Sequence, residues 1–114
     1  PLFISGGVDF PAEDPYIWVQ EKCFYAILKD MKGYFTNAGQ SLALFSSPDG
    51  LNWSLADHPL VTALNVRMTD GSTLFLKHLE RPQIYMENGK PAVLFCAADS
   101  TRESSFNIHI PLKP

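Results

Sequence analysis

The chain has 114 residues, the length of one ordinary domain, with 46% apolar content and a formal net charge of −3. Nine Lys and Arg against twelve Asp and Glu, with no basic run, exclude the phosphate-tracking surface that drives nucleic-acid binding. No apolar stretch reaches the roughly 20 residues a membrane-spanning helix needs, so neither nucleic acid nor membrane is an expected partner.

Taken in chain order, a Gly-containing leader precedes Tyr16 to Gln20 and Cys23 to Lys29, two strands rich in aromatic and branched residues joined by the polar Glu21-Lys22. Asp30 to Gln40 holds Gly33, Asn37 and Gly39 without a sustained period, and reads as a connecting loop. Gln40 to Ser46 predicts a third strand. In Ser47-Pro48-Asp49-Gly50-Leu51-Asn52-Trp53, Asp-Gly supplies a tight turn and the Trp anchors the strand that follows. Asp57 to Leu79 lacks a clear period apart from a short strand near Leu64 to Met68 and a turn at Thr69 to Ser72. Pro82 to Glu87, the Asn88-Gly89 turn and Pro91 to Ala97 predict a second hairpin, and Phe106 to Ile110 a further strand. No helix is needed, because the Pro positions and the wealth of branched and aromatic residues break any 3.6-residue stripe.

One motif occurs twice. Glu13-Asp14-Pro15-Tyr16-Ile17-Trp18 returns as Glu80-Arg81-Pro82-Gln83-Ile84-Tyr85, and each copy runs into a polar turn and a second apolar strand. Repetition of a strand unit is the sequence sign of propellers and other arrays. The chain is therefore expected to be all-β, built of antiparallel four-stranded β-propeller blades. One blade covers about 13–56, a connecting loop 57–79, and a second blade about 80–112.

Residues just before the innermost strands of successive blades gather at one mouth of a propeller's channel, and Asp14 and Glu80 meet that condition. Paired carboxylates held this way suit glycosidic bond cleavage, one protonated for the leaving oxygen and one ionised. The Pro after each restricts the preceding backbone to extended geometry, which aims the side chain.

Asp14-Pro15 and Glu80-Arg81-Pro82, with Asp49-Gly50-Leu51-Asn52-Trp53 and Ile110-Pro111-Leu112-Lys113, resemble the signatures of five-bladed β-propeller glycoside hydrolases of family 43 and its relatives, including family 117. Ser47 to Trp53 likewise resembles a shortened Asp-box turn of sialidase-type blades. The resemblance implies about two blades of a five-bladed propeller, hydrolysing poly- or oligosaccharides. Glu80 would be the general acid and Asp14 the aspartate that orients and tunes it. It also implies a bacterial protein, secreted or periplasmic, with a carbohydrate substrate. The general base expected on an earlier blade is missing, since Asp9 alone precedes Glu13 as a carboxylate and is not followed by Pro. Five blades of ~40 to 50 residues also exceed this chain. A C-terminal piece of a longer protein is therefore expected, a reading that the start at Pro1 joins. A non-catalytic carbohydrate-binding or assembly module on the same scaffold is the alternative. Unpaired strand edges favour self-association or association with the missing blades.

Each candidate has a bland counterpart. Glu80 serves as acid or as a structural ion-pair partner of Arg81 or Lys77. Asp14 competes with Glu13, and either can cap a turn. His78, two residues before Glu80, tunes the acid or contacts sugar. Arg81 suits a substrate hydroxyl or carboxylate, while Trp18 and Tyr16 offer a ring to a sugar face or pack in the core. Cys23 and Cys96 read as buried free thiols. His58 and His109 have no partner at metal spacing, so no metal and no cofactor are expected.

Overall fold

A computed structural model describes residues 12–100 and 106–112, with side chains from Pro15 onward. The chain forms β1 (Ala12–Gln20), β2 (Cys23–Asp30), β3 (Ser41–Ser47), β4 (Ser54–Ala63), β5 (Asn65–Arg67), β6 (Thr73–Glu87), β7 (Lys90–Ser100) and β8 (Phe106–Pro111). These make two antiparallel four-stranded sheets, β1-β2-β3-β4 and β5-β6-β7-β8, and no helix occurs among the described residues. The expectation of an all-β chain is met.

The two Glu-x-Pro copies are structurally equivalent. In β1, Glu13 pairs with Lys29 and Tyr16 with Ile27, so Asp14 and Pro15 together oppose Leu28 alone. In β6, Glu80 pairs with Ala97 and Gln83 with Phe95, so Arg81 and Pro82 oppose Cys96 alone. Two residues facing one is a β-bulge, and Pro suits it because it has no N–H to donate to the ladder. Each unit then closes with a two-residue turn whose central residues both have positive φ: Glu21 at 51° and Lys22 at 65°, Asn88 at 53° and Gly89 at 76°. That is the geometry whose twist matches the flanking strands.

One section of the chain departs from the expected elements. The stretch 57–79 is largely strand: β4 continues to Ala63, β5 adds a rung, and β6 begins at Thr73. Its periodicity is hidden because β4 is an edge strand carrying Pro59, with two irregularities in its pairing to β3. The strand bearing Glu80 is consequently second in its sheet, after β5, rather than first.

One core lies between the sheets. Ile27 and Leu42 of the first meet Leu79, Ile84, Leu94, Cys96 and Ile108 of the second, with Tyr16, Trp18 and Leu44 packed alongside. The Tyr16 hydroxyl donates across the junction to the Ile84 carbonyl at 3.3 Å. On the opposite face of the first sheet, Ala26, Leu28, Ala43 and Phe45 are covered by Phe35 and Trp53. The loop before β3 supplies Phe35. Asp30, fully buried, organises that loop by accepting the backbone N–H groups of Lys32, Tyr34, Phe35 and Thr36. Gly33 sits at φ 75°, where a Cβ would lie 2.5 Å from the Gly39 nitrogen.

The turn before β4 supplies Trp53. Asp49 accepts the N–H groups of Leu51 and Asn52, both at 2.8 Å, the Ser47 hydroxyl and the Asn52 amide. Trp53 Nε1 donates back to the Gly50 carbonyl at 3.0 Å. These bonds hold the Asp49 carboxyl well below the usual carboxylate range, with the Asn52 and Leu51 amides the largest causes. The segment is a turn-and-packing device, as its composition indicates.

Candidate functional site

The bulge in β6 is where backbone and charge converge. Arg81 occupies it at φ 52°, a conformation that non-Gly residues adopt rarely. Glu80, immediately before it, receives a hydrogen bond from Lys29 Nζ at 2.6 Å. Lys29 belongs to the other sheet, and its side chain is only 4% exposed while that of Glu80 is 36% exposed. Lys29 reaches this place because Tyr25, Ile27 and Lys29 alternate onto one face of β2, and Ile27 packs into the shared core. The Lys29 hydrogen bond is the largest cause of a lowered Glu80 pKa; burial opposes it, and the charges of Lys29, His78 and Arg81 add to it. Glu80 is thus ionised at neutral pH.

A second pair lies one strand position away. His78 Nδ1 contacts Asp99 Oδ1 at 2.9 Å and Oδ2 at 3.1 Å, the two residues being directly paired between β6 and β7. With Nδ1 committed to the carboxylate, Nε2 is the ring nitrogen left for a ligand. His78, Glu80, Arg81, Asp99 and Asn107 line one polar cleft of about 270 Å³, floored by Ala97 and Ala98 with Phe106 at its side. The small side chains on β7 open the cleft, and Asn107 enters because β8 pairs it with Ala97.

Sequence-predicted site residues divide on this map. His78, Glu80 and Arg81 come together in one cleft. Trp18 does not join them: it lines a separate, apolar groove of about 400 Å³ with Tyr25, Ile27, Val61 and Ile84. There it stacks on Tyr25 at 5.5 Å and donates to Gln20 Oε1 at 3.2 Å. The Asp14 side chain and all of Asp9 lie outside the described residues. Among the described residues Glu80 finds its ion-pair partner in Lys29 rather than in Arg81 or Lys77. Among the same residues no group of three His, Cys, Asp or Glu is placed to hold a metal ion.

Compared with family models, with characterised proteins and with solved structures, the chain matches none. The residues of the cleft must carry the functional reading themselves.

Sequence reasoning passed over Lys29, Asp99 and Asn107. A lysine at the inward parity of an otherwise apolar strand was the available signal for Lys29, because such a charge needs a partner across the core. Asp99 and Asn107 left no local signal, since their roles come from strand pairing alone.

Chemically, the cleft offers the Arg81 guanidinium, the carboxylates of Glu80 and Asp99, a His oriented by Asp99, and an amide that both donates and accepts. Such mixed donors and acceptors at short range suit a neutral polyhydroxylated ligand, each hydroxyl of which does both. The ionised Glu80 accepts hydrogen bonds; it does not hold the proton that a general acid supplies.

Proposed function

We propose that this chain is a carbohydrate-binding unit on blade-like sheets of the glycoside hydrolase type, holding a saccharide in the His78–Glu80–Arg81–Asn107 cleft. The observation that carries the reading is the Lys29–Glu80 ion pair at the cleft wall. It fixes Glu80 as a charged acceptor for sugar hydroxyls, with Arg81 and Asn107 as donors around it. The equivalence of the two Glu-x-Pro bulges, each followed by a tight hairpin and a third strand, supports two copies of one blade unit.

Hydrolysis is the second reading, favoured by one observation. Glu80 is partly exposed in a cleft that also holds an Asp-oriented His. In that reading Glu80 is the acid and Asp14 tunes it.

Titration calorimetry with arabinosyl, xylosyl, galactosyl and anhydrogalactosyl oligosaccharides tests both. Binding by the parent chain, weakened about tenfold or more in Asn107→Ala and Arg81→Ala, is the expected result, matching ~1.5 to 3 kcal/mol for a charge-assisted hydrogen bond. No heat with any of these saccharides refutes the binding reading. Product release by the parent and none by Glu80→Gln moves the assignment to hydrolysis.

A further inference from the structure

At the end where their hairpins turn, the two sheets leave a gap between them. It is the groove of about 400 Å³ that Trp18 lines, and it shares no residue with the polar cleft. Ile27 and Ile84, members of the shared core, form its inner surface. Half-buried Trp18, Tyr25 and Leu44 of the first sheet and Pro91 of the second continue the lining. Both sheets therefore wall the groove, which belongs to their junction rather than to an outer face. A hollow of this size, apolar over most of its lining with a few polar groups at the rim, has the form of a small-molecule pocket.

The polar groups of this groove are not balanced between donors and acceptors. Gln20 Oε1 already accepts the Trp18 indole N–H at 3.2 Å, so the Gln20 amide offers a ligand its NH₂ group. The Tyr25 hydroxyl is engaged by the Cys23 thiol. Lys90 presents an ammonium that has no ion-pair partner among the described residues. No Asp or Glu lines the groove: Glu21, next to Gln20 in the chain, and Glu87, paired with Lys90 across the hairpin, both stay outside it. The free groups at the rim are thus donors, one of them charged, above an apolar interior.

We propose that this groove binds a small apolar molecule carrying one carboxylate, its body against Trp18, Leu44 and Ile84 and its head at Lys90 and Gln20. The apolar lining supplies affinity through the surface it removes from water. The charged donor at the rim supplies selectivity, because it makes a charge-assisted hydrogen bond with a carboxylate. A saccharide fits this site poorly, since the apolar interior would strip its hydroxyls of water without replacing the lost bonds. The site is therefore independent of the polar cleft and of the carbohydrate reading.

Titration calorimetry with octanoate and 2-naphthoate, each set against its neutral alcohol, octanol and 2-naphthylmethanol, tests the proposal. Saturable binding of one molecule per chain is expected for at least one acid, and the tighter of the two tells whether the body is aliphatic or aromatic. The matching alcohol should bind about tenfold more weakly, and Lys90→Gln should close that gap by weakening the acid alone. Val61→Glu, which sets a charge in the lining from edge strand β4, should abolish binding of acid and alcohol alike. Circular dichroism of both variants checks that the sheets are intact. Absence of saturable binding by either acid overturns the proposal. So does an alcohol that binds as tightly as its acid, or acid binding that survives both substitutions unchanged.

Discussion

Replacing Lys29 by Met keeps most of the apolar stem and removes only the ammonium, which separates charge from packing. The ammonium is nearly buried and 2.6 Å from Glu80. Breaking a fully buried pair costs about 3 to 5 kcal/mol. Here the carboxylate left behind is 36% exposed, so solvent screens it and the loss falls to about 1 to 2 kcal/mol at pH 7. For a domain of this size each kcal/mol corresponds to roughly 4 °C in Tm. The pH dependence follows from the direction of the Glu80 shift. Its folded pKa lies below the ordinary value of 4.5, so the folded state binds the proton less tightly than the unfolded one. The stability it contributes is complete above that ordinary value and is lost as pH falls through the folded pKa. Urea unfolding of parent and Lys29→Met should therefore show a gap at pH 7 that narrows below pH 4.5. A double cycle with Glu80→Gln should return a coupling near 1 kcal/mol. A gap of the same size at both ends of the pH range, or a coupling within ~0.3 kcal/mol of zero, would refute the ion pair as an energetic link between the sheets.

Three other outcomes check separate parts of the fold. Gly33→Ala should lower stability by more than ~1 kcal/mol, because the new Cβ meets the Gly39 backbone at 2.5 Å in a left-handed conformation; an unchanged urea midpoint would show that the loop is not closed this way. Burial pushes the Cys96 thiol up to about 12, so in the native chain at pH 8 a disulfide-exchange reagent should leave Cys96 unmodified until denaturant is added, and prompt labelling there, read by mass spectrometry, would contradict the core assignment. Asp49→Ala should remove hydrogen-exchange protection at Leu51 and Asn52 and loosen Trp53 from the cluster of Ala26, Leu28, Ala43 and Phe45, seen as a red-shifted Trp emission. Since the Asp49 pKa is lowered in the folded state, the turn in the parent should persist on acidification through the ordinary carboxylate range and open only below it.

The sequence made the hairpins legible because their information is local. Glu21-Lys22 and Asn88-Gly89 are short polar interruptions between branched and aromatic runs, and both adopt the turn that such spacing requires. The Ser47 to Trp53 turn was equally readable from its own residues. Asp57 to Leu79 was not, because β4 is a half-exposed edge strand with Pro59 in it, and the first residues of β6 gain their ladder only from β5 and the end of β7. The cleft was half legible: the Glu80-Arg81-Pro82 motif drew attention to β6, and His78 followed from parity. Lys29 and Asp99 are brought to it by the packing of sheets and the pairing of strands distant in sequence. A motif search sees neither.

The two units differ at the positions that open the cleft of the second. At corresponding positions opposite the Glu-x-Pro glutamates stand Lys29 in β2 and Ala97 in β7. In the first sheet the long side chain reaches across the junction between sheets to Glu80 of the other unit. In the second sheet the methyl group leaves room above β7, and the neighbouring position on β8 is Asn107 where the first sheet has the buried Leu42. One unit has thus given its cation to the other's carboxylate, while the other has traded bulk and apolarity for a polar hollow beside that carboxylate. A perfectly repeated pair of sheets, with Lys at both positions and Leu at both, would fill the cleft and leave no room for a ligand. Divergence at these two positions therefore separates a filled repeat from one with a polar cleft beside Glu80.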